Sequence, residues 1–211
     1  MDAEAVLERA RRHHRDRLND ALRRPGLFGR DETAEVLLLE AMAAVDDKLD
    51  RWEAEYAALR ASPAFTSTGV HGAYREILPA NARRYAVASV YAEIAHRCGW
   101  LDLDRILLEP DHRRLAADIG EWVAQDRTLA EVTGAFGPPS LPIGSTNPNY
   151  PKTLVYASDE SLICVHLWNR FADGGGGEHP EPVVLAVRHK PGPFPEAFSF
   201  TPEGQRRRAD G

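Results

Sequence analysis

Seven side chains have the types and spacing to bind something. Asn147, Asn149, Tyr150 and Lys152 lie in one loop, and His166, Trp168 and Asn169 lie on and just after one apolar strand. The loop, GSTNPNYPK from Gly144 to Lys152, combines amide donors and acceptors, a phenol and an ammonium. Pro148 and Pro151 lower the entropy cost of holding it in one shape. It reads either as a recognition loop for a partner or as a well-ordered turn. The strand alternates Ile163, Val165 and Leu167 with Leu162, Cys164, His166 and Trp168. Neither set is polar, so both faces call for cover. If cover is incomplete, His166 and Trp168 line a groove with Asn169 at its rim. An enzyme of unfamiliar type, built from His166, Trp168 and Asn147, then needs His166 to meet a carboxylate or a serine in a concave pocket. Sealing His166 among apolar side chains removes that reading.

Eight histidines raise the question of a metal. His166 and His189 are the best pair. In a simple hairpin across loop 170–181, His166 opposes Leu185 and Leu162 opposes His189. The two imidazoles then share a face but stand roughly 13 Å apart. Zn–N bonds are about 2 Å long, so one ion does not bridge them. His14 sits on an apolar stripe, whereas His13, His71, His112 and His179 are expected in solvent. His179-Pro180-Glu181 has the spacing of a zinc deaminase motif, but no PCxxC follows. HExxH, GxSxG, GxxxxGK[ST] and GxGxxG are absent. The run Gly174 to Gly177 precedes no helix and reads as a flexible hairpin connection. Ser67 and His71 lack an orienting acid, which leaves them a poor nucleophile–base pair. Cys98 and Cys164, without CxxC spacing, read as buried free thiols. No metal or other cofactor is implied.

The elements that position these residues form an α+β chain. A helical part of four to five helices covers residues 1–136, and a small antiparallel sheet covers 140–200. The two share one domain over 1–200. The first helix runs from Asp2 to Arg23 and stops at Pro25-Gly26. Arg24 to Gly29, RPGLFG, is similar to a turn of gyrase-type ATPases over those six residues, but the other ATP-site motifs are missing. The second helix is capped by Asp31 and runs to Ser62. Leu38, Met42, Val45, Leu49, Trp52, Tyr56 and Leu59 give it a seam over three heptads. That seam is covered either by the first helix or by a second copy of the chain. Residues 64–79 read as loop, Ala80 to Arg97 as the third helix, and the stretch from Pro110 to Phe136 as a fourth. A break near Asp126-Arg127-Thr128 would split the fourth, with Thr128 starting the second half. The twelve residues from Leu129 to Ser140, a helix ending in FGPPS before a strand, look like a join used in small bacterial α+β binding domains. Beyond Gly137-Pro138-Pro139 the period drops to two. Strands are expected at Leu141–Ile143, Lys152–Tyr156, Leu162–Asn169, Val183–His189 and Ala197–Phe200. The tail 201–211 has almost no apolar anchor and is expected to be disordered and basic.

Composition bounds the function. Hydrophobic residues make up 43% and charged residues 27%, enough for a packed core. The net charge of −6 argues against nucleic acid as the partner. No apolar run is long enough to span a bilayer, and the N-terminus has no apolar leader, so a cytoplasmic location is expected. The favoured reading is a non-catalytic interaction or regulatory protein with a protein partner, of the bacterial immunity or defence-accessory kind. The enzyme around His166 and Trp168 is the alternative.

Overall fold

The computed structural model describes residues 3–29, 32–170, 177–190, 194 and 196–209. Asp31, Gly174 to Gly176 and Asp210-Gly211, on which three expectations fall, lie outside them. The chain is α+β, with helices mostly in its N-terminal part and one antiparallel sheet in its C-terminal part. The helices are α1 (Ala3–Arg23), α2 (Thr33–Val45), α3 (Leu49–Ala61), α4 (Gly69–Ala73), α5 (Ala80–Arg97), α6 (Glu109–Trp122), α7 (Leu129–Phe136) and α8 (Pro202–Ala209). The strands are β1 (Leu141–Gly144), β2 (Lys152–Ala157), β3 (Leu162–Trp168), β4 (Val183–Arg188) and β5 (Phe198–Phe200), paired in sequence order.

The sheet is covered on both faces by the same chain. Leu162, Cys164 and Trp168 join a core with α1, α2, α3 and α5. Ile163, Val165 and Leu167 join a second core with Leu115 and Ile119 of α6, Val123 just after it, and Val132 of α7. Residues 86–92 of α5 are buried without interruption, so this helix is wrapped on all sides. Alanines at 86, 88, 92 and 95 let its neighbours approach closely. Thr128 does start α7. Its hydroxyl accepts from the Glu131 N–H at 3.3 Å, and Glu131 accepts from the Thr128 N–H at 2.8 Å. Thr128→Ala breaks this reciprocal cap and should cost about 1 kcal/mol. In thermal melts that is a fall of roughly 2–4 °C at this chain length.

Four expectations are corrected. The long second helix is two helices. Asp46 accepts from the Trp100 indole N–H at 2.8 Å and pairs with Lys48 at 2.6 Å. Asp47 turns the chain at φ 55°, and the Lys48 N–H returns to the Ala43 carbonyl. The seam is therefore broken. Met42 and Trp52 are buried within the chain, and Leu38, Val45, Tyr56 and Leu59 pack on the same core. Leu49, 42% exposed, is left outside, so the Leu38–Leu59 seam is not a free face for a second copy. Second, loop 64–79 contains α4 and a 3-10 turn at Tyr74–Glu76. Gly69, at φ 75°, opens α4, and Glu32 accepts from the Val70 and His71 N–H groups beside it. Third, β3 and β4 do not keep one register. Trp168 faces Val183 and Leu167 faces Val184, but His166 faces Ala186. The extra residue, Leu185, is a bulge that flips the rest of β4. His189 thus lies on the α6 side, donating through Nδ1 to the Ala116 carbonyl at 2.9 Å and accepting from Ser199. His166 lies on the opposite face.

Fourth, the tail is not disordered over Pro202–Ala209. Thr201 Oγ1 donates to the Val184 carbonyl at 2.6 Å and accepts from the Gly204 N–H at 3.0 Å. The Thr201 N–H reaches the Leu185 carbonyl, which the bulge turns toward it. Asp126 accepts from the Glu203 N–H at 2.7 Å. Hydrogen bonds to main-chain groups and the Arg206–Asp126 and Arg207–Glu178 ion pairs hold this helix, whereas an expectation based on apolar burial looks for apolar side chains.

Candidate functional site

One end of the sheet gathers most of the residues singled out from sequence. Gly144, Lys152 and Leu167 are aligned there across β1, β2 and β3. The loop between β1 and β2 is tied to itself. Lys152 Nζ donates to the Asn147 carbonyl at 2.9 Å, and Asn147 Oδ1 accepts from the Asn149 N–H at 3.0 Å. Burial holds the Lys152 ammonium below its ordinary pKa. Asn169 is fully buried. Its amide donates to the carbonyls of Asn149 and His179 and accepts from the His179 N–H. Lys152 and Asn169 thus act as internal clamps, while Asn147, Asn149 and Tyr150 are exposed.

His166 takes no part in a cleft. It is 1% exposed, hydrogen-bonds through Nδ1 with Thr153 at 3.0 Å, and sits against the rings of Tyr74 and Phe198. Burial, with a smaller push from Arg188, drives its pKa down to about 3. The ring stays neutral and meets neither a carboxylate nor a serine, so the enzyme arrangement around it is not formed. Trp168 is also covered. Its indole N–H donates to Asn81 Oδ1 at 2.7 Å, and the Arg207 guanidinium lies 4.3 Å over its ring. His112, expected in solvent, is 3% exposed and donates to the Tyr156 carbonyl.

Two clefts open at this end. One, of about 550 Å³, wraps the edge strand β1. Its walls are Leu129, Pro139, Pro142, Ile143 and Leu154, with Arg23, Arg24 and Lys152 around them. The other, of about 500 Å³, lies between the start of α5 and the end of β3, and carries Arg83, Arg170 and Arg207 beside Asn81 and Trp168. Among the described residues, no acid lines either cleft.

Compared with known protein families, curated proteins and solved structures, the chain matches none.

Two other clusters were not foreseen. A third cleft, of about 370 Å³ between α3, α5 and the end of β4, is floored by a chain of charges. Glu55 binds Arg97 at 2.7 Å, Arg97 binds Glu93 at 3.0 Å, and Glu93 binds Arg188 at 2.5 Å. Arg188 also reaches Cys164 Sγ at 3.4 Å. Burial raises the Cys164 thiol pKa, which makes it a poor nucleophile. Glu178, His179 and Glu203 bring ligand atoms within 4.8 Å of one another. Arg207 already pairs with both carboxylates, filling with a guanidinium the place a cation would take. Glu93 and Arg97 stand four residues apart on α5 and Glu178 and His179 are adjacent, but the other members come from separated segments, so no local spacing announces either whole cluster.

Proposed function

We propose that this protein is a non-catalytic recognition protein whose partner presents an extended, acidic, partly apolar segment to the β1 cleft. The observation that supports it is the lining: among the described residues, five apolar side chains and three cations without an acid, Arg23 and Arg24 being paired outside the lining with Asp104 and Asp20, in a chain of net charge −6. Pro142 has no N–H to offer, so a partner gains little from strand pairing at this edge. Recognition then rests on apolar contact and charge complementarity. The exposed Ser145 and Thr146, at the start of the loop between β1 and β2, line the cleft and supply polar contacts there. The class includes immunity and defence-accessory proteins. A reducing, cytoplasmic setting suits the two buried free thiols, Cys98 and Cys164. Among the described residues, no helix is long and apolar enough to cross a membrane.

The test is fluorescence polarisation of a labelled, alternating Leu-Glu octapeptide with the full chain at about 0.15 M salt. Saturable binding at roughly micromolar to tens of micromolar concentration is expected. Arg24→Glu, at an exposed position paired with Asp20, should weaken it about five-fold or more. Equal binding of an alternating Leu-Lys peptide, or preferential binding of a DNA duplex at the same salt, overturns the reading.

A further inference from the structure

The cleft at the start of α5 differs from the β1 cleft in how its cations are held. Arg83 is fixed by main-chain carbonyls: Nε donates to Leu78 O at 2.7 Å and Nη2 to Arg75 O at 3.1 Å. Carbonyls orient the guanidinium without neutralising it. Arg170 makes no ion pair with a described residue. Arg207 is the opposite case. It is stacked on Trp168 and paired with Glu203 and Glu178, so it is placed firmly but already compensated. Among the described residues, the cleft therefore presents two guanidinium groups without an ion pair, next to a third that is rigid. Burial, together with repulsion from Arg75, holds Arg83 below its ordinary pKa. An anion in the cleft would reverse that strain.

We infer that this cleft binds a phosphate monoester, with Arg83 and Arg170 as its charge partners. Two positive charges match a group that carries about two negative charges at neutral pH, whereas a carboxylate carries one. Planar guanidinium forks match the oxygen geometry of a phosphoryl group. The volume of about 500 Å³ admits the ester's organic part as well as the phosphate. The inference does not rest on peptide binding at β1, since the clefts share no lining residue.

Two sources supply this chemistry: a free phosphate ester, and a phosphorylated side chain of another protein. Isothermal titration of the full chain with phenyl phosphate, and with a serine peptide in phosphorylated and plain forms, separates them. The phosphopeptide should bind roughly ten-fold or more tightly than its plain form. If it also exceeds phenyl phosphate, the ligand is a phosphorylated side chain; if phenyl phosphate binds at least as well, it is a free ester. Arg170→Gln, at an exposed position, should weaken either ligand about five-fold or more with an unchanged melting temperature. Arg83→Lys keeps the charge, loses the fork, and should also weaken binding. Absence of heat with both phosphate ligands overturns the inference, as does full affinity in Arg170→Gln or equal affinity for the plain peptide.

Discussion

Glu93→Ala should lower stability by about 3 kcal/mol, because it strands the Arg188 guanidinium. At this chain length that is a fall in melting temperature of roughly 6–12 °C. Arg188 has a side chain only 14% exposed, and Glu93 is its carboxylate partner at 2.5 Å. Without Glu93, what remains among the described residues is the weak contact to Cys164 Sγ. Glu93 also binds Arg97, so the substitution cuts the chain of charges from Glu55 inward at its middle. The cost reflects a buried charge left alone rather than the value of the pair. The double variant Glu93→Leu, Arg188→Met should accordingly recover most of the loss, to within about 1 kcal/mol of the parent. Acid provides an independent check. Burial raises the Glu93 carboxyl, but Arg188 and Arg97 outweigh it and hold its pKa below the ordinary 4.5. A carboxyl depressed in the folded state contributes fully above its unfolded value, and the contribution is lost as pH falls through the folded value. Melting curves of the parent and Glu93→Ala should therefore converge below pH 4.5. Equal melting at neutral pH would show that Arg188 finds solvent through the cleft and that the pair contributes nothing.

Local signals made much of the architecture legible. The third expected helix, Ala80–Arg97, has the observed bounds of α5. The change of period after Gly137 marked the sheet, and all five strands fall within a residue or two of their expected bounds. What stayed hidden depends on distant partners. The break after Val45 needs Trp100 to catch Asp46. The bulge at Leu185 moves His189 to the other face, and no feature of the strand's own alternation predicts it. The cleft cations come from α1, α5, β2, the end of β3 and α8, so their convergence is a property of the fold. The singled-out residues at the sheet end divide accordingly. Lys152 and Asn169 spend their polar groups on holding the loop, and His166 and Trp168 are enclosed. The cations that border the clefts, Arg83, Arg170 and Arg207, drew no attention as a group because each looks like an ordinary surface charge in its own segment.

Gly204→Ala should detach the C-terminal helix. A Cβ at position 204 would lie 1.8 Å from the Leu185 carbonyl oxygen and 2.7 Å from its carbon. Both are main-chain atoms of the bulge, which cannot rotate away as a side chain does. Two effects oppose each other here. Alanine favours a helix over glycine by about 1 kcal/mol. Overpacking against fixed backbone costs about 1–3 kcal/mol, and so deep an overlap belongs at the upper end. The clash should win, and the melting temperature should fall by roughly 2–8 °C. The same methyl lifts Thr201 from Val184 and Glu203 from Asp126, and with them Arg207 from the Trp168 ring. Trypsin should then cut after Arg206, Arg207 or Arg208 earlier than in the parent, because the released segment can adopt the extended shape a protease needs. Gly134→Ala is the matched control. It lies in α7, where an added Cβ meets nothing within 4 Å. Only the helix preference acts there, so its melting temperature should rise. If Gly204→Ala instead melts at or above the parent and resists trypsin equally, α8 does not dock on the bulge. The cleft formed with Arg207 would then lack its third wall, and the phosphate site would have to be sought elsewhere.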